Sequence, residues 1–407
     1  MSVADMSGRD VLVLVDSDHA DTPYDTWAAE AGVRPHLLVS RARYPQYRHV
    51  PGTRAFDDYA SGGQVERVAL ELGERLSLLA VVARAEGDLL RAARLREVLG
   101  VPGQDWPSAL AFRDKVVMKT QLRRRGLEVP EFTAVRTPVD LLAFAAEHGY
   151  PVVVKPAYGS GSTGTQVLRG PDDLDALLAA GLPEHPEVER FVEGVMYVVD
   201  GLFTQGAVRS AFVSRYVNDC LAFRAGGHLG SAQLTRDDPL TPRLISYARQ
   251  VLDLLPTSDC TTFHLEVFHT PDDRLVLCEV ASRTGGALTA AAIRAASGID
   301  LDREWFLAQT GAAPSLTPGM DGAAPGRSAG WVVFYPERGT LTELPLAPPE
   351  FVVEQRLRGR VGTTYRGGQK SGVYLAGYVV TGAGADEVEQ RLHELAAWYA
   401  SGVRWRE

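Results

Sequence analysis

The sequence predicts an α/β protein whose N-terminal part is built on a mainly parallel sheet. Two observations carry this. Three β-prone apolar runs of strand length occur early: Val11-Leu12-Val13-Leu14-Val15, His36-Leu37-Leu38-Val39-Ser40 and residues 76–82. They alternate with helical patterning, clearest at residues 88–99, where Leu89, Leu90, Ala93, Leu95 and Val98 form an apolar stripe. Strands alternating with helices imply parallel pairing, since parallel neighbours need a crossover. Asp16-Ser17-Asp18 follows the first strand, at the sheet end that lines a cleft in such folds. Capping of the next helix is the role expected of these acids.

Length and composition set further bounds. At 407 residues with 45% apolar content, the chain can bury two or three full cores. A net charge of −9 argues against nucleic-acid binding. The longest apolar runs are strand-length, far short of the ~20 residues of a membrane span. The first residues lack the basic-then-apolar pattern of a signal peptide. Cys220, Cys260 and Cys278 are odd in number and lack metal-ligand spacing, which fits a reducing, cytoplasmic setting.

Two segments point to chemistry. Residues 263–268 and 275–281 alternate as hairpin arms around Pro271-Asp272-Asp273-Arg274. With Asp272-Asp273 as a two-residue loop, Glu266 faces Glu279 and His264 faces Ala281. Opposed like charges destabilise a strand pair, whereas a hard cation between two carboxylates relieves them. Cys278, next to Glu279, is expected on the hairpin's other face as a small buried thiol. Upstream, the strand pattern of residues 150–156 ends in Lys155-Pro156. It runs into Gly159-Ser160-Gly161-Ser162-Thr163-Gly164 and then a further short strand. Such a turn lets backbone N–H groups close on phosphate oxygens. The spacing fits neither a P-loop nor a dinucleotide fingerprint, because a strand rather than a helix follows the glycines. Only four lysines occur, and two of them, Lys115 and Lys155, belong to these candidate segments.

Taken in order, these blocks resemble the ATP-grasp superfamily over roughly residues 75–310. Asp114-Lys115 with Met118-Lys119-Thr120 is similar to the opening of its ATP-binding region. Gly149-Tyr150-Pro151-Val152-Val153-Val154-Lys155-Pro156 with the Ser/Gly loop is similar to its phosphate-covering hairpin. Glu189-Arg190-Phe191-Val192-Glu193-Gly194 resembles the hinge that contacts adenine. His264-Leu265-Glu266 and Glu279-Val280-Ala281-Ser282-Arg283 resemble the metal and phosphate cluster. Two positions depart from the pattern. Met196 stands where many members carry a ribose-binding glutamate, and Ala281 where many carry an asparagine.

The resemblance implies an ATP-grasp fold with five divisions. These are a Rossmann-like N-terminal domain (1–111), a small ATP-binding subdomain with the glycine-rich loop (112–187) and a large subdomain with hinge and metal site (188–311). A Pro/Gly/Ala linker (312–330) and a small C-terminal α+β cap (331–407) follow. It implies ATP and Mg²⁺, or Mn²⁺, as cofactors. Lys115, Lys155, Ser160, Gly161, Ser162 and Gly164 would hold phosphates, with Glu189, Arg190, Val192 and Glu193 at the hinge. Glu266 and Glu279 would bind metal, and Arg283 the transferring phosphoryl. Arg224, His264 and the Gly285-Gly286 backbone are candidate substrate contacts, with Tyr216, Asn218 and Asp219 near Arg224. The implied activity is carboxylate–amine ligation through an acyl phosphate, most similar to L-amino-acid and peptide-forming ligases. A purine-pathway or biotin-carboxylase-like enzyme, or an ATP-binding regulator without turnover, are the alternatives. Expected partners are a small-molecule carboxylate and amine, amino acids or a short peptide, with no nucleic acid and no membrane; a homodimer is compatible with this reading. Arg356, Arg358, Arg360, Arg366 and Lys370 form a basic cluster in the cap.

Overall fold

The computed structural model describes residues 9–218, 221, 227–313, 315–316, 322, 324, 326–368 and 372–406. The N-terminal part holds β1 (Asp10–Val15), α1 (Tyr24–Ala31), β2 (Arg34–Ser40), α2 (Tyr44–Tyr47), β3 (Arg54–Phe56), α3 (Gln64–Arg75), β4 (Leu78–Ala83) and α4 (Leu89–Leu99). Its sheet has order β3-β2-β1-β4 with parallel pairs throughout. Every residue of β1 is buried, as a strand covered on both faces requires. On α4 the apolar stripe is interrupted. Val98 is 56% exposed, and the buried place goes to Arg96. Its guanidinium donates to the Val81 and Gln104 carbonyls, so hydrogen bonding overrides polarity there.

Two helices, α5 (Trp106–Arg113) and α6 (Lys115–Arg124), lead into a small subdomain. Asp114 caps α6, its carboxylate accepting from Val116 and Val117 N–H at 2.8 and 3.0 Å. This cap starts the helix at Lys115. The subdomain contains β5 (Phe132–Ala134), α7 (Pro138–His148), β6 (Val152–Pro156), β7 (Gln166–Leu168), α8 (Pro171–Ala180) and β8 (Pro186–Arg190). The sheet order is β5-β8-β6-β7, and the glycine-rich loop joins β6 to β7.

The next segment supplies β9 (Val195–Thr204), β10 (Ala207–Tyr216), β11 (His228–Gln233), α9 (Leu240–Leu254), β12 (Cys260–His269), β13 (Leu275–Ala281), α10 (Thr289–Ser297) and α11 (Leu301–Gln309). The last comprises β14 (Ser328–Phe334), β15 (Arg338–Glu343), β16 (Val352–Leu357), β17 (Thr364–Arg366), β18 (Ala376–Gly382), α12 (Ala385–Gly402) and β19 (Arg404–Arg406). A separate C-terminal cap was expected, but β14, β18 and β16 extend the large sheet instead. Its order is β13-β12-β9-β10-β11-β14-β18-β16, antiparallel throughout. The reason is edge pairing: β11 has an open edge, and β14 satisfies it over residues 228–232. Only β15, β17 and β19 form a sheet of their own. α9 packs on one face of the large sheet with Phe203, Val213, Phe263 and Leu265. On the other, Leu202 and Phe212 meet α11 and the N-terminal domain in one core.

Candidate active site

The Glu266–Glu279 pairing is present, but the turn differs from the expected one. Thr270 N–H donates to the Arg274 carbonyl, leaving a three-residue loop with Asp273 at φ 62°. Val267 pairs with Leu277, and the register shifts between Val267 and Glu266, which pairs with Glu279. The extra residue is Cys278. A bulge breaks the strict side-chain alternation of the pleat, and Cys278 lines the same cavity as both glutamates rather than the opposite face. Burial pushes its thiol well above the ordinary range, against the pull of Lys155.

That cavity, of about 780 Å³, lies where the N-terminal domain, small subdomain and large sheet meet. It collects Lys115, Lys155, Ser160, Gly161, Ser162, Glu189, Arg190, Val192, His264, Glu266, Glu279, Arg283, Gly285 and Gly286 from the sequence expectations. Gly164 and Glu193 are not on its wall. Gly164 packs beside Pro156 at φ +72°, and Glu193 is exposed. Met196 is on the wall, with Phe191, Val153, Val167 and Phe268 adding to an apolar slot near the hinge. Arg224, Asp219, Cys220 and Lys370 lie outside the described residues.

Lys115, Lys155 and Arg283 are each matched by a carboxylate. Lys155 Nζ is 2.5 Å from Glu189 Oε1 and 3.8 Å from Glu187 Oε1. Burial opposes its charge, but Glu189 wins and holds the ammonium well above its ordinary pKa. Lys115 Nζ donates to the Gly159 carbonyl at 2.8 Å and lies 3.0 Å from Glu279 Oε2. For Glu279, burial raises the pKa, yet Lys115 and Lys155 outweigh it and the carboxyl stays below its usual range. Lys119 is fully buried between Glu187 (2.8 Å) and Glu189 (2.5 Å) and is absent from the cavity wall. Glu189 thus works as a buried counter-ion to two lysines, and the chain following it supplies the hinge wall.

Arg283 Nε donates to Glu86 Oε2 at 2.9 Å, and Arg113 reaches Glu86 Oε1 at 2.7 Å. Although burial raises its pKa, Arg283 and Arg113 pull the Glu86 carboxyl down to about 2. Glu86 was not among the expected residues. Its signal was its place just beyond the carboxyl end of the third predicted strand, the cleft-lining end of a parallel sheet. Asp18, which also follows a strand end, neither caps a helix by side chain nor lines the cavity. It pairs with Arg43 and with Arg358, just beyond β16. Arg356 likewise reaches Asp21 at 3.3 Å, so two arginines of the basic cluster bind the N-terminal domain to the large sheet.

His264 Nδ1 is 2.9 Å from Asp200 Oδ1, and its Nε2 is 3.4 Å from Glu266 Oε1. Burial works against its charge, but Asp200 dominates and lifts the imidazole to about 10. Gly285 N–H donates to the same Asp200 oxygen at 2.7 Å, so it faces a carboxylate of the protein rather than a substrate anion. A Cβ there would lie 2.7 Å from His264 Nδ1 and 2.9 Å from Asp200 Oδ1, which is why this turn needs glycine. The far wall is apolar: Leu221, Leu229, Ala287 and Trp331, with Tyr216 edge-on to Trp331 at 6.3 Å.

Glu266 and Glu279 fit a hard divalent cation. They are cross-strand partners, both face the cavity, and carboxylate oxygens are the ligands Mg²⁺ prefers.

Comparison with known proteins agrees with this architecture. Residues 114–198 match the family described as Carbamoyl-phosphate synthase L chain, ATP binding domain. An L-arginine-specific L-amino acid ligase from Bacillus subtilis is 27% identical over 259 residues, 61% of this chain. The chain spans 62% of that relative's length. A D-alanine–D-alanine ligase from Geobacter sulfurreducens is 31% identical over 104 residues, covering 25% of this chain and 33% of the relative. Among solved structures, an L-amino acid ligase from Bacillus licheniformis superposes with a TM-score of 0.77 at 16% identity, covering 98% and 99% of the two chains. A carboxyaminoimidazole ribonucleotide synthase from Aspergillus clavatus, complexed with ATP, gives 0.70 at 17% identity, covering 96% and 97%. No helix among the described residues is long and apolar enough to cross a membrane. The chain has the ATP-grasp fold, and residues 114–198 resemble an ATP-binding domain.

Proposed function

We propose that the protein is an ADP-forming carboxylate–amine ligase that uses ATP with Mg²⁺ to join amino acids or short peptides. The observation that carries this is the convergence of Glu266, Glu279 and Arg283 on the same cavity as Lys115, Lys155 and the Ser160–Ser162 loop. Such a set suits phosphoryl transfer, which depends on positioning and charge neutralisation rather than on a protein nucleophile. Mg²⁺, held by Glu266 and Glu279, would neutralise phosphate charge.

Lys115 exchanges its contact with Glu279 for a phosphate oxygen, and Lys155 offers a compact ammonium from the strand end. Serine hydroxyls and backbone N–H groups of the loop close over the phosphates. Arg283 presents a guanidinium fork to the transferring phosphoryl. The γ-phosphoryl passes to a carboxylate oxygen; the amine nitrogen then attacks the carbonyl carbon, loses a proton and expels phosphate. The apolar wall of Leu221, Leu229, Ala287 and Trp331 favours a substrate with an uncharged side chain. The similarity to relatives named as amino acid ligases supports this reading.

The test is phosphate release from ATP across a panel of amino acids, with products read by mass. Ligase activity requires release that depends on both a carboxylate and an amine. Release with bicarbonate alone, or none with any pair, rejects the reading.

A further inference from the structure

Away from the cavity, the N-terminal domain gathers two imidazoles around one carboxylate. His19 lies in the loop between β1 and α1, Asp25 in the first turn of α1, and His49 two residues beyond α2. His19 Nε2 is 2.7 Å from Asp25 Oδ1, and His49 Nε2 is 3.1 Å from Asp25 Oδ2. The three donor atoms lie within 4.8 Å of one another. We propose that His19, Asp25 and His49 form a binding site for a transition-metal dication of the Zn²⁺ type, with water as fourth ligand.

Geometry supports this first. Zn²⁺ bonds of about 2.0–2.2 Å in a tetrahedron place ligand atoms roughly 3.3 Å apart, close to the two distances observed. The rings are already set: His19 meets Tyr47 edge-on at 5.2 Å and 67°, and His49 at 5.2 Å and 73°. Tyr47 is itself fully buried and donates to the Thr22 carbonyl at 2.9 Å, while the His19 N–H donates to Gln46 Oε1 at 2.8 Å. The loop is therefore held before any ion arrives. Access is open, since the side chains of His19 and Asp25 are each 30% exposed and that of His49 is 53% exposed.

Charge and ligand type agree. The carboxylate offsets part of the charge of such an ion, and two imidazole nitrogens are ligands it favours. On binding, the ion takes both Nε2 lone pairs and a carboxylate oxygen. Each ring then carries its remaining proton on Nδ1, and any second ring proton goes to solvent. Imidazole nitrogen selects Zn²⁺, Ni²⁺ or Cu²⁺ over Mg²⁺, which prefers oxygen. The site is thus chemically distinct from the Glu266–Glu279 pair. An ion there would fix the loop that also carries Asp18 and Asp21, whose partners are Arg358, just beyond β16, and Arg356 within it. The role is that of a staple and does not depend on the ligase reading.

The test uses the full chain, stripped with a chelator and saturated with ADP and millimolar Mg²⁺ so that the glutamate pair is occupied. Calorimetric titration with Zn²⁺ should give one ion per chain. His49→Ala and His19→Ala should each weaken it by at least about tenfold, comparing ligand loss with the effect of disrupting outer-shell partners. Phosphate release with the best amino-acid pair should be unchanged in His49→Ala. No uptake by the wild type, or uptake equally tight in both variants, overturns the site. Zinc K-edge absorption on the wild type gives an answer that needs no variant: two imidazole nitrogens support the proposal, and an all-oxygen shell overturns it.

Discussion

Arg283 reaches from the end of β13 to Glu86 in the N-terminal domain, its Nε donating to Oε2 at 2.9 Å. The pair joins two domains at the wall of the large cavity, and it gives Arg283 a fixed direction. If that guanidinium acts on the transferring phosphoryl, Arg283→Lys keeps the charge but loses the fork. Turnover should then fall by about 100-fold or more, as when a transition-state donor is removed, with kcat and kcat/KM dropping together. ATP affinity should hold. A Lys variant with normal turnover and a lowered Tm would reduce Arg283 to a domain tie.

Glu86 gives a pH signature. Its folded carboxyl sits at about 2, below the ordinary 4.5. Its stabilisation is therefore fully present above about pH 4.5 and is lost as pH falls toward 2. Glu86→Gln should lower stability at neutral pH by on the order of 3 kcal/mol. The Tm gap between wild type and variant should stay constant above pH 5 and narrow below it. A gap that widens on acidification contradicts the assignment.

Glu279→Gln removes an anionic ligand and also the partner of Lys115. The fold should survive, because a direct like-charge pairing with Glu266 is relieved at the same time. Amino-acid-dependent phosphate release should drop to background, and the thermal shift given by ATP should no longer depend on Mg²⁺. Full turnover at ordinary Mg²⁺ would dismiss the metal role of the hairpin.

Lys115 and Lys119 stand one helical turn apart, yet their surroundings separate them. Lys115→Ala should weaken ATP binding by roughly tenfold or more with little change in Tm, as for a lost charge-assisted contact. Lys119→Ala leaves Glu187 and Glu189 buried without that cation, so it should cost about 3–5 kcal/mol of stability. Calorimetric ATP affinities and melting curves on both variants check this. The reverse pattern would exchange the two roles.

Local patterning made much of this protein legible. The Val11–Val15 run and the glycine-rich loop between two strands depend on composition and turn chemistry acting over a few residues. The Glu266–Glu279 pairing was also readable, although through two offsetting differences: a loop one residue longer and a bulge at Cys278. A bulge leaves no periodic trace, so the placement of Cys278 in the cavity was not. Long-range pairing decided the rest. Edge pairing drew β14, β18 and β16 into the large sheet rather than a separate cap. Glu86 meets Arg283 across 197 residues, and Asp200 meets Gly285 across 85. The sequence by itself determined which short segments could hold phosphate and metal, because those properties are local. Only the tertiary structure decided which charges neutralise one another, because burial forces each ion to find a partner wherever the fold brings one close.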